Sequence, residues 1–302
     1  MDNIIMLFAC LMIGIILQKA GRVPDNAHTA LNAFIIHISL PALILSHIHS
    51  VRIDASVLYA IAMPWIVFFA SVVLFWLLGR MLNFSRKTTG ALSVVAGLGN
   101  TSFIGLPVIE SFFGADKMQL GIIIDQLGTY LVLSTLGILA VCFYAEGPSL
   151  THRDILKRIA GFPPLIALAA ALLLLPLPYP DWFASILARL GGTLAPLALV
   201  SVGLQLRAAA LSGNALALCL GIGYKLLLAP LIIMALYIGL LGLRGVPVQV
   251  TLLESAMAPQ IGGSIVAIQY GLDARLITLL VGIGTVLSFL TLPLWWGLCA
   301  RI

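Results

Sequence analysis

Long apolar runs separated by short polar stretches dominate the sequence. A helix needs about 20 apolar residues, each rising about 1.5 Å, to cross a hydrocarbon core about 30 Å thick. Ten runs come close to or exceed that length. They predict transmembrane helices at 3–19, 28–48, 56–79, 88–113, 118–143, 161–178, 182–206, 214–241, 247–270 and 273–299. The fold class predicted from this pattern is an all-α integral membrane protein with ten transmembrane helices.

Composition agrees with this interpretation. Hydrophobic residues make up 61% of the chain and charged residues 9%, and the mean hydropathy is +1.14. Soluble domains carry about 25% charged residues, which cover their surface. The net charge of +5 arises from basic residues in the predicted loops, so no nucleic-acid partner is expected.

The basic residues also predict an orientation, because cytoplasmic loops carry an excess of Lys and Arg. The odd-numbered connections hold Lys19, Arg22, Arg80, Arg86, Lys87, Arg153, Lys157, Arg158, Arg207 and Arg275. The even-numbered connections and the tail hold Arg52, Lys117, Arg244 and Arg301. Both termini are therefore expected outside the cytoplasm.

Two of the predicted helices contain helix-breaking residues near their middle. Span 4 carries GLGNTSFIGLP at 97–107, and span 9 carries SAMAPQIGGS at 255–264. Proline removes a backbone donor and clashes with the preceding turn, and each glycine costs about 1 kcal/mol relative to alanine in a helix. The backbone groups released by a break cannot face lipid, so they must be buried in protein or line a polar cavity.

A weak internal repeat relates the two halves of the chain. FGAD at 113–116 returns as YGLD at 270–273, GTYL at 128–131 returns as GTVL at 284–287, and Pro41 is matched by Pro196. Each half then has five helices, at 1–143 and 161–302, joined by a cytoplasmic loop at 144–160. Because five is odd, the second half enters the membrane from the opposite side, which predicts an inverted repeat typical of secondary transporters.

The alignment places both breaks at the same depth, where two half-helices would begin. Helix N-termini carry partial positive charge and unpaired N–H donors, so an anion is the predicted occupant. The predicted substrate-binding residues are Asn100, Thr101, Ser102, Gly105, Pro107, Pro259, Gln260, Gly262, Gly263 and Ser264. The alternative is that glycine only permits close helix packing and proline only kinks the helix.

Four further residues are candidates for coupling or ion pairing, because ionisable side chains inside a membrane are rare. Lys225 is placed at a depth that allows pairing with Asp125 or Glu254, either as a proton-sensitive switch or as a static ion pair. His37 has a side chain suited to proton coupling, although a lone histidine among apolar residues is more often a packing residue. The five tryptophans mostly fit interfacial anchors.

The motifs GNTSFIGLPVIESFFG (99–114) and APQIGGSIVAIQYGLD (258–273) resemble the auxin efflux carrier family, which includes plant PIN-type carriers and bacterial malonate and other carboxylate transporters. SLPA at 39–42, APLALVSVGLQL at 195–206 and TLPLWW at 291–296 support the resemblance.

The resemblance implies two inverted five-helix sets whose discontinuous helices 4 and 9 cross, as in bile-acid symporter and sodium/proton antiporter folds. It also implies that Asn100 is the leading ligand for a substrate carboxylate, with Pro107 and the pair Pro259 and Gln260 shaping the crossing. Ser264 stands where PIN-type carriers have a second proline, and their long cytoplasmic loop is lacking. Both departures favour a small carboxylate over auxin.

The expected function is secondary transport of a small organic anion by alternating access, in a bacterial inner membrane. A channel or a transporter-like sensor is the alternative, and an enzyme is not expected because HExxH, GxSxG and Walker A motifs are lacking. No cofactor or metal is expected, and the four cysteines show no metal-site or disulfide spacing. The sequence leaves open whether transport is coupled to protons or sodium or is uniport driven by the membrane potential. It also leaves open the direction of transport and a homodimeric assembly.

Overall fold

The computed structural model of the protein describes residues 2–48, 58–114, 117–145, 157, 160–161, 163–175, 177–205 and 215–301. These residues form helices joined by turns. The α-helices are α1 Asp2–Lys19, α2 Ala27–Phe34, α3 Leu40–Ile48, α4 Leu58–Met81, α5 Arg86–Ala91, α6 Leu106–Phe113, α7 Met118–Ile123, α8 Ile138–Tyr144, α9 Pro163–Leu173, α10 Asp181–Gly192, α11 Leu194–Gln205, α12 Ala215–Gly223, α13 Ala229–Ile233, α14 Val246–Ser255, α15 Ile261–Gln269 and α16 Ala274–Cys299.

Several of these helices are joined by wider π-helical turns, which the sequence analysis did not predict. The π-helical segments are Ile35–Ser39, Leu92–Ala96, Thr101–Gly105, Ile124–Tyr130, Leu133–Gly137, Tyr224–Leu228 and Met234–Leu240. Such turns are rare and occur frequently at functional sites. Two of them carry Asp125 and Lys225, which are both buried.

Within the described residues, six helices are long and apolar enough to cross a membrane. They are Ala27–Ser46, Leu58–Met81, Leu120–Tyr144, Asp181–Ser201, Ala215–Leu240 and Ala274–Cys299. The expected all-α membrane protein is therefore supported. The shorter apolar helices Ala9–Lys19 and Pro163–Leu173 fall within predicted spans 1 and 6. Spans 4 and 9 are interrupted, so neither contributes one long helix, and the count of ten remains a prediction.

The described chain divides into two compact units. The first combines Met1–Arg52 with Pro148–Leu206, and its closest helix contact joins α1 to α11. A Cβ atom placed on Gly14 would lie 2.3 Å from the carbonyl oxygen of Val200 and 2.9 Å from the Cα of Gly203. The two backbones therefore touch, as small residues permit between membrane helices, where apolar burial supplies little driving force.

Polar contacts complete the first unit. The hydroxyl groups of Ser39 and Thr193 lie 2.8 Å apart, and the Ser201 hydroxyl donates to the Asn32 side-chain oxygen at 2.6 Å. Helix α3 packs against α9 and α10. Because these hydroxyl and amide groups are partly or fully buried, their hydrogen bonds offset the cost of removing them from water.

The second unit combines Ile53–Gly147 with Arg207–Ile302, and α16 packs there against α12, α14 and α15. Asp273 caps α16, because its carboxylate accepts from the backbone N–H of Leu276 at 3.1 Å and from the Thr88 hydroxyl at 3.0 Å. Its counterpart in the repeat, Asp116, lies outside the described residues.

The glycines of the two repeated motifs share a backbone conformation. Gly114 has a φ of 88° and Gly271 a φ of 78°. This left-handed region is open to glycine and strained for other residues. Both glycines follow the last helical turn of the corresponding segment, where such a conformation commonly ends a helix.

One tryptophan differs from the interfacial role expected for it. Trp295 is buried, and its indole N–H donates to the backbone carbonyl of Leu226 at 2.8 Å. The carbonyl belongs to the π-helical segment Tyr224–Leu228, whose wider turns leave the regular hydrogen-bond ladder. Trp76, Trp182 and Trp296 are exposed at the surface of the chain, and their interfacial position remains a prediction.

We predict that Gly14→Ala destabilises the first unit, because the added methyl group would overlap the backbone of α11. Overpacking of this kind costs about 1–3 kcal/mol. Gly192→Ala is the matched control, since Gly192 has nothing within 4 Å of its Cβ position. Thermal unfolding of the purified variants in detergent measures the difference. A Gly14→Ala protein as stable as the Gly192→Ala protein would contradict the contact.

Candidate functional site at the crossing of two interrupted helices

Both predicted breaks are present in the second unit. In predicted span 4, helical structure stops after the π-helical turn Leu92–Ala96 and resumes at Thr101–Gly105. In predicted span 9, α14 ends at Ser255 and helical structure resumes with α15 at Ile261. The intervening residues 97–100 and 256–260 are all buried. Their backbone groups therefore need partners within the protein.

The two interrupted segments supply those partners to each other. Gly99 and Pro259 form an antiparallel β-bridge. The backbone N–H of Asn100 donates to the carbonyl of Ala258 at 2.8 Å, and that of Gln260 donates to the carbonyl of Leu98 at 3.1 Å. Two peptide groups on each segment are thus satisfied without water.

The bridge explains why glycine and proline stand at its centre. In a non-hydrogen-bonded antiparallel pair, the central residues direct no N–H toward each other, so the missing N–H of Pro259 costs the pairing nothing. The two Cα atoms of such a pair lie only about 4.5 Å apart. A Cβ atom on Gly99 would in addition meet Lys225 Nζ at 3.1 Å and the Glu254 carbonyl oxygen at 3.4 Å. Gly99 therefore fits where a larger residue would be crowded.

Helix α16 holds the proline from its other side. A Cβ atom on Gly284 would lie 2.7 Å from Pro259 Cδ and 2.9 Å from its Cγ. Gly284 belongs to the repeated GTVL motif. A Cβ atom on its counterpart Gly128 would likewise lie 2.7 Å from Pro64 Cγ. The repeated glycines thus allow a helix to approach a proline ring closely.

Asp125 accepts hydrogen bonds from the polar residues that follow the break in span 4. Its Oδ1 accepts from the Thr101 hydroxyl at 2.5 Å and from the Ser102 hydroxyl at 2.6 Å, and its Oδ2 accepts from the Gln126 side-chain amide at 2.7 Å. All four side chains are buried. The hydroxyl protons of the two predicted ligands are therefore directed at Asp125, which leaves their lone pairs for any other partner.

Lys225 lies at the crossing itself. Its Nζ donates to the backbone carbonyl of Ser255 at 2.7 Å. Ser255 is the last residue of α14, and a cation suits a helix C-terminus, where carbonyl groups lack helical partners. The contact described for Lys225 is thus with a carbonyl group, while the sequence analysis considered pairing with Asp125 or Glu254.

Glu254 precedes Ser255 and is fully buried. Its two carboxyl oxygens would lie 2.5 and 2.7 Å from a Cβ atom on Gly105, and one of them 3.3 Å from a Cβ atom on Gly121. Neither oxygen accepts a hydrogen bond from the described residues. The carboxyl group therefore rests against the glycine backbone of two neighbouring segments.

The other predicted ligands lie around the start of α15. Gln260 is buried, and its side-chain oxygen would be 3.1 Å from a Cβ atom on Gly263, so the side chain folds over the first turn. A Cβ atom on Gly262 would lie 3.7 Å from Leu133 Cδ2. The hydroxyl of Ser264 donates to the carbonyl of Ile261 at 2.6 Å.

Asn100 is buried on the first break, and Pro107 stands near the start of α6, where the fixed φ of proline suits a helix. The side chain of Pro107 lies outside the described part of the structure.

His37 is exposed and belongs to the first unit, whereas Asp125, Lys225 and Glu254 all belong to the second.

Sequence reasoning missed three contributors to this site. The Thr129 hydroxyl oxygen lies 3.2 Å from that of Thr101, Gln126 donates to Asp125, and Ser255 provides the carbonyl group that Lys225 contacts. Thr129 lies in the repeated GTYL motif, which was a usable signal. A backbone carbonyl leaves no signal in a sequence, because every residue has one.

A separate cleft of about 530 Å³ lies elsewhere in the second unit, at the ends of α4 and α8. Arg80 stacks over the Trp76 ring at 4.2 Å, and Arg86 donates to the carbonyl of Phe143 at 2.5 Å. None of the predicted ligands lines it.

Within the described residues, no group of three or more His, Cys, Asp or Glu side chains is placed to hold a metal ion.

Comparison with known proteins places these features in a family. A family model described as membrane transport protein matches residues 1–145 and 149–296. A relative from Methanothermobacter thermautotrophicus is 29% identical over 300 residues, covering 97% of this chain and 96% of its own. Another from Methanocaldococcus jannaschii is 27% identical over 304 residues, covering 98% and 97%. Both are named as uncharacterized transporters.

The chain therefore belongs to the membrane transport protein family, and its resemblance to the auxin efflux carriers is confirmed. The family and the names of the two relatives support a transporter function for an integral membrane protein.

We predict that Gly284→Ala disturbs the crossing, because the new methyl group would overlap the ring of Pro259. The cost should again be about 1–3 kcal/mol, measured as a lower unfolding temperature. Gly297→Ala on the same helix is the control, since Gly297 has nothing within 4 Å of its Cβ position. Equal unfolding temperatures for the two variants would show that α16 does not hold Pro259 in place.

Proposed function

We propose that the protein is a secondary transporter that moves a small organic anion, a malonate-like or auxin-like carboxylate, across the membrane by alternating access. The observation that carries this proposal is the buried crossing, in which Gly99 and Pro259 join two interrupted helices. Broken helices at matching positions of two halves are the usual location of a transporter's binding site.

The charge of the occupant follows from what the crossing offers. Helical structure begins beside the bridge at Thr101 and again at Ile261, and α15 has no side-chain hydrogen bond at its cap. The first N–H groups of such helices favour an anion. The ammonium group of Lys225 lies next to Gly99 and adds a positive charge. The buried amide side chains of Asn100 and Gln260 add neutral hydrogen-bonding groups.

The architecture proposed with this function is ten spans in two inverted repeats, 1–143 and 161–302, joined by 144–160. Two observations support it. Each compact unit draws on both halves of the chain, and the repeated glycines Gly114 and Gly271 both have positive φ. Alternating access would then expose the crossing to each side of the membrane in turn.

The basic loops support a location in a bacterial inner membrane with both termini outside the cytoplasm. Proton or sodium coupling and a homodimer belong to the same proposal, with Asp125, Lys225, Glu254 and His37 as the candidate coupling or ion-pair residues. The surrounding lipid and the organic anion are the partners that the function requires.

A channel or a transporter-like sensor is the rival function. The burial of residues 97–102 and 256–262 favours a carrier, because a pore would leave its lining exposed to water. Counterflow in proteoliposomes separates the three functions. A carrier exchanges labelled for unlabelled malonate and saturates, a channel passes it without saturation, and a sensor binds it without flux.

We predict that small carboxylates raise the unfolding temperature of the purified protein and that Asn100→Ala reduces the effect to half or less. A ligand at a concentration of about 100 times its Kd stabilises a protein by about 2.7 kcal/mol. A hydrogen bond to a charged group contributes about 1.5–3 kcal/mol, so the variant should bind at least about tenfold more weakly. A thermal-shift panel that includes malonate measures both quantities.

Asn26→Ala serves as the control, because Asn26 is exposed in the first unit and should leave ligand binding unchanged. Equal stabilisation of wild-type and Asn100→Ala protein would remove Asn100 from the binding site. Stabilisation by cations but by no carboxylate would contradict the proposed substrate class.

A further inference from the structure

Glu254 is a buried acid beside the crossing. It is 0% exposed, and neither carboxyl oxygen accepts a hydrogen bond from the described residues. An ionised carboxylate accepts hydrogen bonds at about four positions, and burying it unpaired is among the most costly arrangements in a protein. A protonated carboxyl group avoids most of that cost, because it carries no net charge.

The charged neighbours of Glu254 also favour its protonated form. Asp125, from the segment Ile124–Tyr130, and Lys225, from Tyr224–Leu228, are the charged side chains that act on Glu254. The carboxyl oxygens themselves lie against Gly105 and Gly121, which carry no charge. The ionisable groups of this cluster are therefore two acids, Asp125 and Glu254, and one base, Lys225.

The hydrogen bonds distinguish the two acids. Asp125 accepts from three side-chain donors, which is the environment of an ionised carboxylate. Lys225 donates to the Ser255 carbonyl at the C-terminus of α14, where the helix dipole favours the ammonium form. These two charges cancel. An ionised Glu254 would leave one uncompensated negative charge in a fully buried cluster, whereas a protonated Glu254 leaves none.

We propose that Glu254 binds the coupling proton and that the protein is a proton–organic anion symporter. This inference rests on the proposed transport function. A proton from water on one side adds to the Glu254 carboxylate to form the carboxylic acid. When the site opens to the other side, the same O–H bond breaks and the proton passes to water.

Electrostatics links this proton to the anion. An ionised Glu254 would repel a carboxylate bound at the crossing, because its oxygens rest against Gly105, in the first turn after the break. Protonation removes that repulsion, so anion binding and proton binding favour each other by reciprocal linkage. One proton and one monocarboxylate then cross together without net charge movement.

The first test needs no substrate. A protonated carboxyl group gives an infrared C=O stretching band that is distinct from the bands of ionised carboxylates. The difference spectrum between wild type and Glu254→Gln at neutral pH should contain one such band, which shifts in deuterium oxide. Glu110→Gln is the control and should produce no such band, because Glu110 is exposed. A Glu254→Gln difference spectrum without the band would overturn the proposal.

The second test uses proteoliposomes and a labelled monocarboxylate identified by counterflow. A one-unit pH gradient, acidic on the side of addition, should support about tenfold accumulation in the wild type, since about 1.4 kcal/mol corresponds to a factor of ten. Accumulation should persist in Glu110→Gln. Glu254→Gln should show no accumulation driven by the pH gradient, and its exchange should no longer depend on pH.

The outcomes separate this inference from the proposed function. If no organic anion shows counterflow, the transport function fails, while the infrared band still reports on Glu254. If counterflow occurs without dependence on the pH gradient, the symport inference fails and the transport function stands. Thermal stabilisation by sodium over choline that is lost in Glu254→Gln would assign the site to a metal cation and overturn the proton assignment.

Discussion

Every backbone amide and carbonyl group inside a bilayer must find a partner within the protein, because the hydrocarbon core offers none. In the second unit this constraint is strongest where two helices are interrupted, because the regular helical hydrogen bonds stop there. The N–H groups of Asn100 and Gln260 pair with carbonyl groups of the opposite break. This two-bond bridge lets the chain place non-helical backbone and half-helix ends deep in the protein. The candidate site depends on it, because uninterrupted helices would present no such groups.

The positions of the breaks could be predicted from sequence, since glycine and proline act locally on the backbone. The repeat was also readable, and the shared positive φ of Gly114 and Gly271 agrees with it. The pairing of Gly99 with Pro259 could not be predicted, because it depends on how two distant segments meet. The same holds for Trp295, whose burial depends on the carbonyl of Leu226 in a π-helical turn.

The side-chain chemistry of the site was predicted only in part. Residue type and depth identified Asp125, Lys225 and Glu254, and all three are buried in the second unit. Their partners depend on three-dimensional contacts. Thr101 and Ser102 direct their hydroxyl protons at Asp125, and Lys225 contacts a backbone carbonyl. A sequence does not reveal which of two buried acids receives the donors, and the separate roles proposed for Asp125 and Glu254 rest on that difference.

The pairing of the two breaks is tested most directly by an experimental structure of the full chain in lipid nanodiscs, at a resolution that places backbone atoms. We expect both helices to be interrupted, with the Asn100 nitrogen within hydrogen-bond distance of the Ala258 carbonyl oxygen. A continuous helix through residues 97–100 or 256–260, or two breaks that do not touch, would contradict the account.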